Sequence, residues 1–406
     1  MVAALLLDCG AGTTEPNTAL LEQTDVFVAG QDGIAEYRIP VLLTSTQGTL
    51  LAFCDARVER PGDPANNIDL VMKRSFDQGR TWEPLRVLLD VGDGATADSC
   101  GLVDRQTGTI WVFTVYCPAG IGSDNAVPGL SGATIMYWAI KSDDDGETWS
   151  EPIDITSMIK KPEWRAGSPG PGKGIQTRSG RLIIPKYFTR EKDIFAGSPA
   201  SDSQGESFFE KNDVISHVVY SDDHGKSWKT GGEARGQAGT GECQLAELGD
   251  GTLLLNMRGV TGNRRKISRS RDGGMTWSEM VEDPALIEPR CQASLSHFTD
   301  RISHDKDRLL FSNPASTERE NMTVRLSYDG GQTWPVAKQL YGGPTAYSCL
   351  TILPDLTAGC LYERGDEGPL VSNEQYSNYQ KITFARFNLE WLTDGKDTIL
   401  HKDNSQ

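Results

Sequence analysis

SFDQGRTW at 75–82, SDDDGETW at 142–149, SDDHGKSW at 221–228, SRDGGMTW at 270–277 and SYDGGQTW at 327–334 are one phrase written five times. The shared pattern is S-x-D-x-G-x-[ST]-W, and successive copies start 67, 79, 49 and 57 residues apart. Five copies with the same fixed residues indicate a repeat architecture. Ser and Asp side chains bond neighbouring backbone amides and shape a turn; Gly supplies a positive φ, and Trp packs beneath. Each box is therefore a structural pin at a hairpin tip, and its aspartates are not expected to do chemistry.

An alternating, strand-like run precedes each box: IDLVMKRS, TIMYWAIKS, ISHVVYS, RKISRS and MTVRLS. Further short strands fill the gaps, among them TIWVFTVY, RLIIPKYF, TLLLNMR and RLLFSNP, and helical periodicity is nearly absent. Short strands on a repeat of this length predict an all-β protein, a six-bladed β-propeller with four-stranded antiparallel blades. The boxes account for five blades, and YSCLTILPD, AGCLYER and KITFARFNLEWL supply a sixth. A strand around DVFVAG near the N-terminus is expected to complete that blade and close the ring, which removes exposed edges. The expected division is an extension or leader remnant at 1–20, the propeller at 21–395 and a tail at 396–406. The polar, Gly/Ser-rich stretch 189–211 reads as an inserted surface loop.

The net charge of −16 excludes nucleic acid and anionic membrane as natural partners, since no basic surface is available to release phosphate counterions. An acidic substrate must then be met by a local cluster of cations. None of the eight cysteines form a CxxC pair, and the five histidines are scattered without HExxH. Neither zinc nor a Ser-His-Asp triad is supported, so no cofactor and no metal are expected. The cysteines read as buried small hydrophobes. No run reaches the roughly 18 apolar residues of a membrane span. MVAALLLDCGAG at the start is compatible with a trimmed leader ending at Cys9, although Asp8 stands where a small residue is usual. A secreted, periplasmic or cell-surface location is the expectation, with the cytoplasm left open. GSPGPGKG at 167–174 nearly matches a phosphate-binding loop but lacks the Ser or Thr after Lys173 and any helix to follow. Asn321-Met322-Thr323 fits a glycosylation sequon inside an expected strand.

Beyond the boxes, the chain resembles the exo-α-sialidase (neuraminidase) family over nearly its whole length. Tyr37-Arg38-Ile39-Pro40 is similar to the family's Arg-Ile-Pro motif. Its three substrate-clamping arginines map onto Arg38, onto Arg258 in LLLNMR and onto Arg325 in MTVRLSYD. Guanidinium forks bind a carboxylate better than any other side chain, and sialic acid carries one on its anomeric carbon. Three convergent arginines would repel one another unless an anion lay between them. The glutamate that orients the first arginine corresponds to Glu363 in LYER.

The loop CDARVERPGDPANNIDL resembles the family's acid/base loop. It makes Asp63 the proton donor and Arg57 a contact to the sugar's hydroxyls, with Asp55 and Asp69 as nearby competitors. Sialidases are an exception among retaining glycosidases in using a tyrosine nucleophile. A neutral phenol activated by a glutamate is not repelled by the substrate's own carboxylate. Here the resemblance implies Tyr347 in PTAYSCL and Glu242 in GECQLAEL. Asp98 in ATADSCGLVD corresponds to a contact to the 4-hydroxyl. The implied partners are sialylated glycans, glycoproteins or glycolipids. The implied reaction is hydrolysis with retention; trans-sialidase or intramolecular trans-sialidase chemistry at the same site, and a non-catalytic glycan-binding propeller, are the alternatives.

Overall fold

The computed structural model describes residues 18–191, 212–236, 239–366 and 378–400. The leader-like start with Cys9, residues 192–211 of the expected loop and the last six residues of the expected tail lie outside these. After β1 (Leu21–Val28), the chain lays down antiparallel four-stranded meanders one after another. The first is β2 (Glu36–Thr44), β3 (Leu50–Arg57), β4 (Ile68–Ser75) and β5 (Arg86–Leu89). The second is β6 (Ala95–Val103), β7 (Ile110–Cys117), β8 (Met136–Ser142) and β9 (Ile153–Asp154), followed by the short α1 (Thr156–Ile159). After the fragment β10 (Gly172–Lys173), which lies parallel to β6, the third is β11 (Ile175–Gln176), β12 (Leu182–Glu191), β13 (Asn212–Ser221) and β14 (Lys229–Ala234).

The fourth is β15 (Thr240–Glu247), β16 (Leu253–Gly259), β17 (Arg264–Ser270) and β18 (Val281–Ile287). The fifth is β19 (Ser294–Thr299), β20 (Arg308–Pro314), β21 (Glu320–Ser327) and the first half of the long β22 (Val336–Ile352). The second half of β22 starts the sixth, with β23 (Ala358–Arg364) and β24 (Lys381–Phe387). β1 lies antiparallel on β24 and supplies the missing outer strand, as the sequence predicted. α2 (Leu389–Thr393) follows.

The first strands of the meanders touch in a ring: β2 meets β6, β6 meets β11, β11 meets β15, β15 meets β19, β19 meets β22, and β22 meets β2. Between consecutive blades lies an apolar cluster of its own. Strand alternation feeds two clusters at once, so that Leu50, Ala52 and Cys54 of β3 point to the sixth blade while Leu51 and Phe53 point to the second. The described cysteines are all free and buried, consistent with their reading as small hydrophobes.

The boxes form the turns between third and fourth strands. In the first, Ser75 Oγ donates to Asp77 and accepts from the Gly79 amide, while Asp77 accepts from the amide and hydroxyl of Thr81. The same bonds recur in the second box around Asp144 and in the third around Asp223. They recur again around Asp272 and Asp329 in the fourth and fifth. Gly79 has φ +88°, and a Cβ there would lie 2.0 Å from the Phe384 ring of the preceding blade. The corresponding glycines 146, 225, 274 and 331 press on Leu51, Trp111, Val218 and Leu254, again one blade back. Each box thus fastens its blade to the one before. Because the third-to-fourth turn lies opposite the start of the first strand, the boxes occupy one face and leave the other to the site.

Candidate active site

Bulges place the side chains on that second face. A ladder register shifts between Arg38 and Val41 in β2, between Ala97 and Cys100 in β6, between Thr240 and Cys243 in β15, and between Thr345 and Ser348 in β22. Each irregularity sits at or beside a residue singled out by sequence: Arg38, Asp98, Glu242 and Tyr347. A bulge bends a strand and re-aims a side chain, so four inner strands turn theirs toward a common centre. Ile39 and Asp98 adopt φ of 62° and 54° to do so.

At the centre, the Tyr347 hydroxyl donates to Glu242 Oε1 in a very short bond. Arg258, near the end of β16, donates through Nη1 to Glu242 Oε2 at 2.7 Å and to the Tyr347 hydroxyl at 3.1 Å. Burial first, and then the Glu242 carboxylate, hold the Tyr347 phenol well above its ordinary pKa, with Arg258 and Arg319 pulling the other way. The fully buried Glu363 accepts from Arg38 Nε at 2.7 Å, from the Ile39 amide at 2.8 Å and from the Tyr347 amide at 2.9 Å. One carboxylate thus sets both the first arginine and the tyrosine.

Arg57 spans from Glu36 (2.9 Å) to Asp63 (2.6 Å). The Asp63 side chain is 80% exposed, on the loop between β3 and β4. Crowding in the cleft raises its pKa, but Arg57, Arg38 and Arg319 outweigh this and leave the carboxyl below its usual range. Burial, and then the charges of Glu242 and Asp63, push Asp98 up to about 7. The competitors lie elsewhere: Asp55 is buried and accepts the Asp98 amide, and Asp69 is buried near Asp90.

Arg325 does not join this cluster. It sits inside β21 opposite Phe311 and Ala337, with Asp283 as its nearest counter-charge and its Nε unpartnered. The third arginine of the cleft is Arg319, at the far end of the same strand from the box. Its guanidinium lies 5.7 Å from the Tyr347 ring centroid and donates to the Tyr379 hydroxyl, and Arg38 stacks 3.7 Å over the Tyr379 ring. Sequence reasoning missed Arg319 and Tyr379. Arg325 is two residues from the box and must share its face; a site residue has to stand a strand length away, as Arg319 does. A cavity of about 280 Å³ opens over Glu242, Arg258 and Arg319, walled by Tyr187 and Arg290.

A propeller with an arginine-ringed cleft and a buried Tyr–Glu pair defines a narrow class. Residues 48–362 match the family model described as a BNR repeat-like domain. A sialidase of Bacteroides fragilis is 36% identical over 82% of this chain and 61% of its own length. A sialidase of Micromonospora viridifaciens is 36% identical over 94% of this chain and 56% of its own. Among solved structures, the Hadza microbial sialidase Hz136 superposes with a TM-score of 0.76 at 35% identity, covering 90% of this chain and 68% of that one. The chain belongs to the sialidase family of BNR-repeat proteins. It spans about 60% of the length of those two curated relatives.

Proposed function

We propose that this protein is a retaining exo-α-sialidase that hydrolyses terminal sialic acid from glycoconjugates. The observation that carries the reading is the Tyr347–Glu242 pair lying beneath Arg258, with Arg38 and Arg319 beside it. Arg38, Arg258 and Arg319 receive the substrate carboxylate, the anion that relieves their mutual repulsion. Arg57 and Asp98 face the ring hydroxyls. Tyr347 attacks the anomeric carbon as its proton passes to Glu242 along the existing hydrogen bond.

Asp63 gives a proton to the leaving oxygen. In the free protein that carboxyl is biased toward ionisation by its three arginines. A bound carboxylate neutralises Arg38 and Arg319, and a bound sugar excludes water; both raise the pKa of Asp63 at the moment an acid is needed. The same carboxylate then activates the water that releases the sugar from Tyr347. Two displacements at one carbon give retention.

The test is release of 4-methylumbelliferone from its α-sialoside by the parent, Asp63→Ala and Tyr347→Phe. Activity in the parent that collapses in Tyr347→Phe supports the assignment, and near-parental turnover in that variant sinks it. Free sialic acid as product supports hydrolysis, whereas an anhydro sugar or a sialylated acceptor would replace hydrolysis by transfer.

A further inference from the structure

GSPGPGKG at 167–174 is no nucleotide loop, yet it carries a lysine across the propeller axis. The loop crosses the central channel, pairing through β10 with Cys100 and Gly101 of β6. Its Pro171 carbonyl accepts the side-chain amides of Gln244 (2.9 Å) and Gln292 (3.1 Å), which plug the channel beneath the catalytic cleft. Beyond the plug, Lys173 reaches from the third blade to Ser296 Oγ of the fifth at 2.9 Å. Its ammonium group enters a cavity of about 400 Å³ lined by the far ends of the inner strands, on the face that carries the boxes.

Three cations line this cavity, Lys173, Arg105 and Arg178, against two carboxylates, Glu247 and Asp300. Asp300 pairs with Arg178 at 3.6 Å, and Glu247 accepts the Arg178 amide at 2.8 Å. Lys173 and Arg105 line the same cavity, and among the described residues neither has a carboxylate within ion-pair distance. Arg105 is held through Nη2 to the Gln176 carbonyl at 2.7 Å; burial first, and Arg105 after it, oppose the charge on Lys173 and bring its pKa down to about 8. The Nε2 of His297, also on the cavity wall, is buried without a partner. A cation withdrawn from water needs a counter-charge, and this chain, at net −16, is otherwise rich in them.

We propose that the box-side mouth of the channel is an anion site in which Lys173, Arg105 and the Ser296 hydroxyl hold a small oxyanion of the phosphate or sulfate type. This site stands independently of the sialidase reading. Binding to the folded state alone must raise the melting temperature with ligand concentration. The experiment is differential scanning fluorimetry and calorimetric titration with sodium phosphate, against sodium chloride at equal ionic strength. Because the catalytic arginines also attract phosphate, it is run on the full chain and on Arg319→Gln. Phosphate is expected to raise the melting temperature of both by about 1 °C or more beyond chloride. Lys173→Met and Arg105→Gln are each expected to weaken phosphate binding about 10-fold or more. Arg105 lies on the exposed rim, so its variant decides the matter if Lys173→Met does not fold. The proposal is overturned if the parent shows no phosphate-specific shift, if the shift survives both variants unchanged, or if Arg319→Gln alone abolishes it.

Discussion

Glu363 has both oxygens committed, to Arg38, the Ile39 amide and the Tyr347 amide, with no exposure to water. Such a group positions others, so the arginines it helps to array carry the measurable chemistry. Arg319→Ala should lower kcat/KM for a sialoside about 100-fold or more, the worth of two charge-assisted hydrogen bonds, whereas Arg325→Ala should stay within about threefold of the parent. Steady-state kinetics on the two variants separates the assignments. The resemblance singled out Tyr347, Glu242, Arg38, Arg258, Arg57, Asp63 and Glu363 through short family motifs, and the structure brings them to one face. Arg319, in PASTERENM, has no such context; only the direction of β21 distinguishes it from Arg325. Asp98 offers a second measurement. Its folded pKa of about 7 lies above the unfolded value near 4, so the native state holds a proton that the unfolded chain releases. That contribution lowers stability as pH rises from about 4 to 7. Asp98→Asn should flatten this part of the curve and melt about 1–3 °C above the parent at pH 8, at the expense of turnover. Melting curves across pH 4–8 read the difference, and identical slopes in both proteins would sink the assignment.

At the scale of elements, the boxes were readable because the Ser and Asp bonds that shape each turn are local, spanning at most four residues. The bulges at Arg38, Asp98, Glu242 and Tyr347 were not, since register is set by the partner strand and leaves no mark on composition. Nor was the support of the loop that carries Asp63, the proposed acid/base. Gly122, in the loop between β7 and β8, sits so close to that loop that a Cβ would lie 2.2 Å from the Pro64 oxygen and 2.7 Å from the Ala65 nitrogen. Its own loop is held by Asn125, which accepts the Gly122 amide at 2.8 Å, and by Arg165, which donates to the Ala126 and Asp124 carbonyls. With rigid backbone on both sides, Gly122→Ala must push the segment that bears Asp63. Loss of a placed general acid is felt most where the leaving group is poor. The variant should therefore lose about 10-fold in kcat on a sialyl-lactose while losing far less on the 4-methylumbelliferyl sialoside. Equal losses on both substrates would mean that the displacement reaches the clamp or the nucleophile instead.

For the whole molecule, a ring of six blades has six junctions, and the five boxes fasten five of them. The junction without a box lies between the fifth and sixth blades. There α2 and the residues after it take the position: Leu389 and Leu392 are buried with Phe298, Leu340 and Phe387. Beyond them Asp397, which falls within the expected tail at 396–406, is buried in a network. It accepts from Arg308 Nε at 2.8 Å and Nη2 at 2.9 Å, from Lys306 at 2.7 Å and from the Tyr328 hydroxyl at 2.9 Å. Tyr328 belongs to the fifth box, so the C-terminal segment ties that box to the closing blade. Arg308 is wholly buried and is shared between two carboxylates, since Asp305 accepts from its Nη1 at 3.0 Å and its Nη2 at 3.1 Å, so removing Asp397 leaves the guanidinium with half its compensation. Asp397→Ala should then cost about 1–3 kcal/mol, the worth of hydrogen bonds to a charged group that Asp305 replaces only in part. Asp394, exposed and paired only with Lys338, is the control: its alanine variant should melt within about 1 °C of the parent. Arg308 and its neighbours hold the Asp397 carboxyl far below the usual range, although burial opposes them. The stability it supplies is thus present above about pH 4 and fades as the pH falls further, so parent and Asp397→Ala should converge in acid. Were Asp397→Ala to melt with the parent at neutral pH, the sixth junction would rest on the apolar packing of α2 and on the strand β22 that its two blades share, and the polar network would fasten nothing.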